Sequence, residues 1–235
     1  MNIKLEYEYV LYCGDIHGEW NDFYRQVKKF QLSECNIVVC GDIGLGFDSD
    51  YKTVKTLNYH NKQFAHKNIH VYCIRGNHDD PSWYVPTFIN KFSHIHILPD
   101  YTVLENSSDK ILCVGGGISL DRTSRKLDKS YWSDEAVYKD EKILNDLTDI
   151  TIVATHSSPS FVHPISKQGI QQWCKVDETL EKDVEDDRKT LDDIFHLLKQ
   201  NNPLKKWYYG HYHMSNKQNE FGVDFKLLNI LEISE

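Results

Sequence analysis

The chain has no apolar run long enough to span a bilayer, no surplus of positive charge and no CxxC pair. Each absence excludes a class. A spanning helix needs about 20 predominantly apolar residues, so no membrane span is expected. A net charge of −8 argues against an extended nucleic-acid face, because phosphate backbones are held by Lys and Arg. Cys13, Cys40, Cys73 and Cys113 sit inside apolar runs, where a reduced cysteine packs as a small hydrophobe. Neither a disulfide framework nor a thiolate metal site is expected, and a reducing, cytoplasmic compartment is. Asp15 already belongs to a motif, which leaves no room for a secretory signal before it. There is no internal repeat, low-complexity tract or linker. With 40% hydrophobic and 26% charged residues over 235 positions, the composition suits one globular domain across 1–235.

What is present alternates. Tyr9–Cys13 reads as a buried strand, and Trp20, Phe23, Tyr24, Val27 and Phe30 are spaced for one apolar helix face. Asn36–Cys40 is a second strand. A second helix begins near Ser49, with Tyr51, Val54, Leu57, Phe64 and Ala65 inward, and Val71–Ile74 is a third strand. This βαβαβ start predicts an α/β fold with parallel strands. The second half reads as more antiparallel, with strands at 96–98, 102–104, 110–114, 150–154, 207–209 and 225–233. Ser133 is read as the N-cap of a helix carrying Val137, Leu144 and Leu147 inward. An acidic helix spans about 177–200, its stripe Leu180, Val184, Leu191, Ile194 and Leu198 facing in and its charges solvated.

Short polar motifs close several of these runs: Gly14-Asp15-Ile16-His17-Gly18, Gly41-Asp42, Gly76-Asn77-His78-Asp79, Thr155-His156 and Gly210-His211-Tyr212-His213. Ligands in open α/β sheets sit outside the carboxyl ends of parallel strands, so these residues should converge on one edge. Asp, His and Asn together form a donor set for divalent metals. On an extended segment Asp15 and His17 share a face and reach one ion. Asp42 has two oxygens and suits a bridge between two ions. Asn77 offers a carbonyl oxygen and His156 an imidazole nitrogen. His211 and His213 repeat the alternate spacing, and a turn between them would send one to each ion. Such a pair of ions hydrolyses a phosphate ester through a bound hydroxide.

In these motifs and their order, from Asp15 to His213, the sequence resembles the calcineurin-like metallophosphoesterase superfamily. The resemblance implies a β-sandwich of two mixed sheets flanked by helices, with a dinuclear centre at the sheet ends. It implies that Asp15, His17, Asp42 and His213 bind one metal, and that Asp42, Asn77, His156 and His211 bind the other. It makes His78 the acid-base group, unbound but close, able to protonate the leaving alkoxide. Asp79 either orients its motif, as the family pattern implies, or caps the turn at Asp79-Asp80-Pro81.

One departure bears on substrate. The protein-phosphatase branch carries an Asp-Arg shortly after the bridging Asp, whereas this chain continues Ile43-Gly44-Leu45-Gly46-Phe47. Arg122 and Arg125 are the alternative phosphate contacts, on a 121–132 loop whose Tyr131 and Trp132 could stack on a substrate or pack in the core. Arg75 is expected in local pairing. His163 reads as a loop residue near the site, residues 165–175 as a possible cap, and His94 and His96 as an exposed strand face. The expected cofactor is two divalent ions, manganese ahead of iron or zinc, and the expected partner a small phosphorylated substrate. A catalytically silent interaction scaffold of the same fold and a Ser/Thr phosphatase are the alternatives.

Overall fold

In the computed structural model, residues 1–165 and 169–235 are described. The chain runs β1 (Asn2–Lys4), β2 (Val10–Cys13), α1 (Trp20–Lys29), β3 (Cys35–Val39), α2 (Asp50–Ala65), β4 (Ile69–Cys73), β5 (Ile95–Ile97), β6 (Thr102–Glu105) and β7 (Lys110–Val114). It continues through α3 (Glu141–Asp146), β8 (Ile152–Thr155), α4 (Leu180–Asn201), β9 (Lys206–Tyr209), β10 (Asn216–Glu220), β11 (Val223–Leu227) and β12 (Ile233–Ser234). A 5-stranded sheet has the order β12-β2-β3-β4-β5, and a 7-stranded sheet the order β1-β6-β7-β8-β9-β11-β10. Both are mixed, so the expected α/β sandwich is the fold.

Strand alternation divides the core into layers. Ile37 and Val39 of β3 face α1 and α2, while Val38 and the following Cys40 face the other sheet. Across that interface Ile111, Cys113, Ile152, Ala154 and Tyr208 point back, and Tyr12 stacks on Tyr208 with ring centroids 3.7 Å apart. Leu112, Val114, Val153, Trp207 and Tyr209 face the outer layer with Leu191, Ile194 and Leu198 of α4. The cysteines are all free.

Several expectations change. The second half is not mainly antiparallel: β7–β8, β8–β9 and β9–β11 are parallel, and only the β6–β7 and β10–β11 pairs of that sheet run antiparallel. The stretches holding α3 and α4 return the chain to the same end before each new strand, which is what parallel pairing requires. Residues 225–233 split into β11 and β12, which join different sheets. Ser133 caps no helix. Arg75 takes the carbonyls of Asp134, Glu135 and Ala136, and the Glu135 carbonyl also accepts from the Gly117 amide, so the segment is tied to other loops rather than coiled into a helix. The helix starts later, capped by Asp140, whose side chain accepts from the Ile143 amide at 2.9 Å. In α2 the buried face is Thr53, Leu57, His60 and Phe64, and Tyr51 is 76% exposed on the far side. Phe30 follows α1 and is likewise exposed. No helix among the described residues is long and apolar enough to cross a membrane.

Candidate metal centre

β2, β3 and β4 are parallel neighbours, as are β8 and β9, and each is followed at its C-terminal end by one of the polar motifs. The loops meet so closely that side chains would not fit at two glycines. A Cβ on Gly76 would fall 2.0 Å from Asp42 Oδ1, and one on Gly210 2.0 Å from Asp15 Oδ1. Four of the candidate ligands are in left-handed backbone: His17 (φ 45), Asp42 (φ 49), His211 (φ 67) and His213 (φ 51). Non-glycine residues hold that region only when their surroundings enforce it, and such residues concentrate at functional sites. The extended reading of Asp15–His17 is therefore corrected. His17 sits in a tight turn, held by its amide donating to the Asp42 carbonyl at 2.7 Å.

Two groups of donor atoms result, with Asp42 between them. In one, Asp15 Oδ2 lies 3.3 Å from His213 Nε2 and 3.6 Å from His17 Nε2, and the two imidazole nitrogens are 2.9 Å apart. In the other, His156 Nε2 lies 2.7 Å from Asn77 Oδ1, 3.2 Å from His211 Nδ1 and 3.5 Å from Asp42 Oδ2. Asp42 Oδ2 is also 3.9 Å from His17 Nδ1. Asp15 and Asp42 are each 1% exposed.

The hydrogen-bond logic tests whether cations fit. His156 Nδ1 is 2.7 Å from the Cys40 carbonyl, which only accepts, so the neutral imidazole carries its proton there and Nε2 presents a lone pair. The Ser119 hydroxyl donates to Glu135 Oε2 at 2.5 Å and accepts from Asn77 Nδ2 at 2.8 Å. That turns Asn77 Oδ1 toward His156. Two acceptors thus meet at 2.7 Å beside a buried carboxylate, an arrangement that a cation completes. Charge points the same way. Burial, then the charges of Asp15 and Asp79, push the Asp42 carboxyl well above its ordinary range. Burial would also raise Asp15, but a protonated His156, while no cation takes its Nε2, and hydrogen bonds from His17, His213 and the His211 amide bring it below that range. The donor set of carboxylates, imidazoles and an amide oxygen suits divalent transition metals.

His78 lies beside this rim, with Nε2 3.9 Å from Asp42 Oδ2 and its amide donating to Asp42 Oδ1 at 2.8 Å. Arg125 donates to His78 Nε2 at 2.9 Å. Burial, then the Arg125 charge, lower the His78 pKa to about 3. Asp79 accepts from the amides of Ile43, Gly44, Leu45 and Gly76 and from the Tyr84 hydroxyl at 2.8–3.1 Å. It ties the Asp42 loop to the Asn77 loop, while the turn after it is capped by Asp80, which accepts from Ser82.

The other sequence candidates separate. Arg122 is turned away: its guanidinium is spent on Asp177, Asp183 and Thr179, pinning the 121–132 loop to the start of α4. Arg75 is buried against Asp100 and three backbone carbonyls. Trp132 is buried beneath Gly46, and Tyr131 lies along a separate groove with Arg122. His163 contacts the Met214 sulfur at 3.0 Å. His94 and His96 are half-buried rather than exposed, each stacked on His70, whose Nε2 meets Glu6 at 2.9 Å. Of the possible cap at 165–175, residues 166–168 lie outside the described residues. Gly169, Ile170 and Trp173 line a cleft of about 500 Å³ that opens onto Asp42, Asn77, His78, His211 and His213. Sequence reasoning missed Trp173, Asp187, Ser119 and Glu135. The buried Asp187 in an acidic helix was the one readable signal, since it falls on the inward stripe with Leu191 and Ile194.

Residues 9–223 match the family model for calcineurin-like phosphoesterases. Among solved structures, a dimetal phosphatase from Danio rerio aligns with a TM-score of 0.54 at 11% identity, covering 94% of this chain and 87% of that one. The phosphopantetheinyl hydrolase of Mycobacterium tuberculosis aligns with a TM-score of 0.50 at 14% identity, covering 95% and 90%. No curated protein matches the sequence. Identities this low carry the fold alone, but the family model spans most of the chain and takes in the motif loops at the rim, and on that ground the chain belongs to the calcineurin-like phosphoesterase family.

Proposed function

We propose that the protein is a metal-dependent phosphoric ester hydrolase acting on a small phosphomonoester or phosphodiester. The observation that carries this reading is the convergence of two donor groups on Asp42, one with Asp15, His17 and His213, the other with Asn77, His156 and His211. Two divalent ions held there would supply a hydroxide nucleophile near neutral pH and offset charge on the phosphoryl oxygens. Asp42 would be the ligand common to both donor groups. The remaining steps belong to the chain. Arg125, beside His78, grips the phosphoryl group through a charge-assisted pair. An arriving phosphate takes Arg125 from His78 Nε2 and favours protonation of that imidazole, which then gives its proton to the departing alcohol. Asp79 keeps the two loops in register by absorbing four backbone amides.

Protein phosphatase chemistry stands behind this reading. The loop after Asp42 carries no arginine and turns the amides of Ile43, Gly44 and Leu45 inward to Asp79, so none of these is free to hold a phosphate there. The relatives' names, a dimetal phosphatase and a phosphopantetheinyl hydrolase, are in keeping with the proposed class. The test is hydrolysis of p-nitrophenyl phosphate and its bis ester with added Mn²⁺, with Fe²⁺ and Zn²⁺ compared, beside Asp42→Asn as the inactive control. Turnover by the parent and not by the variant is expected. Silence toward both esters with metal bound would favour a binding scaffold.

A further inference from the structure

The cleft beside the rim has a lining of two kinds. Asp42, Asn77, His78, Arg125, His211 and His213 are polar. Ile118, Leu120, Trp173, Val184, Tyr212 and Met214 make up an apolar and aromatic wall. Trp173 is 36% exposed and Met214 40% exposed, so this wall keeps large apolar surface in contact with water. The wall is also held in place. Arg188 donates to the carbonyls of Ser158, Pro159, Val162 and Pro164 and lies over the Tyr212 ring at 5.6 Å. The Ser158 hydroxyl donates to the Tyr212 hydroxyl at 3.3 Å. A volume of about 500 Å³ is that of a small-molecule site.

Charge sets how many phosphates fit. Among the described lining residues the guanidiniums are those of Arg125 and Arg188, and Arg188 is spent on backbone carbonyls. Arg125 lies 2.9 Å from His78, beside the rim. Asp121, whose Oδ1 is 2.8 Å from Arg125 Nε, and Asp187 also line the cleft and disfavour further anionic groups there. Among the described lining residues Arg125 is thus the one guanidinium beside the rim, which suits one phosphoryl group, while Ile118, Leu120, Trp173 and Met214 supply apolar lining.

We propose that the substrate is an ester of a single phosphoryl group with an apolar alcohol, aromatic or long aliphatic, whose organic part lies along Ile118, Leu120, Trp173 and Met214. This rests on the phosphoesterase reading and narrows it against polyphosphates, phosphosugars and phosphopeptides. Those ligands carry charge or hydroxyls that Ile118, Leu120, Trp173 and Met214 cannot pair.

The two monoesters in the test are primary-alcohol esters, so that leaving-group chemistry is constant between them, and ATP, a phosphoanhydride, stands for the polyphosphates. With Mn²⁺-loaded protein, 2-(2-naphthyl)ethyl phosphate, glycerol 3-phosphate and ATP are compared. kcat/KM for the naphthyl ester should exceed that for glycerol 3-phosphate by at least about tenfold, mostly through KM, with ATP slowest. Trp173→Ala should shrink that ratio by about tenfold. Equal kcat/KM for the two monoesters, or a preference for ATP, overturns the proposal. Calorimetric binding of naphthylethyl phosphonate against ethyl phosphonate separates the two levels of the argument. If every ester is inert but the naphthyl phosphonate binds more tightly, the hydrolase reading falls and the apolar subsite stands. If both phosphonates bind alike, the subsite itself is refuted.

Discussion

Ser119 decides which end of the Asn77 amide faces the rim. Its hydroxyl proton is committed to Glu135, so it can only accept from Asn77 Nδ2, and the amide oxygen is left for a metal. Burial pushes the Glu135 carboxyl up to about 7 even with two hydrogen bonds from Ser119 favouring its charged form. Glu135→Gln offers one side-chain acceptor where two donors need one, and Ser119→Ala removes the relay. Either should weaken metal affinity by about 10–100-fold, read by titrating the metal-free protein with Mn²⁺. His78 acts differently, because it is near the donor groups without being needed in either. His78→Ala should retain metal by elemental analysis and lose about 10²–10⁴-fold in kcat on an alkyl phosphate. On p-nitrophenyl phosphate the loss should be much smaller, since nitrophenolate departs without a proton. Equal losses on both esters would remove the general-acid role. The pattern Gly-Asn-His-Asp made Asn77 and His78 legible, whereas Ser119 and Glu135 stand 42 and 16 residues from their partners and carry no motif.

Elements were legible where burial on both faces forces an unbroken apolar run. β3 and β4 are buried at every position, and their runs end where the chain turns toward the rim. β10, with the sequence NKQNE, was not, because an edge strand exposed on alternate positions needs no apolar pattern. The inward face of α2 was misjudged for a related reason: it includes Thr53 and His60, whose polarity hides their burial. His60 has a testable consequence. It is 2% exposed, its Nδ1 has no partner among the described residues, and burial lowers its pKa to about 4. Above about pH 6.5 the imidazole is neutral in folded and unfolded chains alike. Between pH 6.5 and about 4 only the unfolded chain gains the proton, so stability falls across that window, by up to about 3 kcal/mol from this residue. Urea unfolding at pH 7.5, 6, 5 and 4.5 should show the decline, and His60→Leu should make it shallower, with the half-buried His96, whose pKa is likewise lowered to about 4, still contributing. An unchanged slope in the variant would place the acid sensitivity elsewhere.

At the scale of the whole molecule, the rim joins the two sheets. Asp15, Asp42 and Asn77 follow strands of the 5-stranded sheet, and His156, His211 and His213 follow strands of the 7-stranded one. The βαβαβ half of this plan was readable from the run of strands and helices. The second half was not, because parallel pairing there depends on which neighbour each strand finds after a long crossover. With the sheets already sharing an apolar interface, cations at the rim should add cross-links between layers without building the core. Removing metal should therefore lower stability and leave the fold intact. At 100 times its Kd, Mn²⁺ should contribute about 2.7 kcal/mol. The measurement is thermal unfolding with EDTA and then with stepwise Mn²⁺, alongside far-ultraviolet circular dichroism. Tm should climb with metal concentration at constant secondary structure. Asp42→Asn should lose that climb, yet be no less stable than the parent in EDTA, since it relieves a carboxylate buried beside Asp15 and Asp79. A parent protein whose Tm ignores Mn²⁺ would mean that the two donor groups do not hold the ion, and the bridging role of Asp42 would go with it.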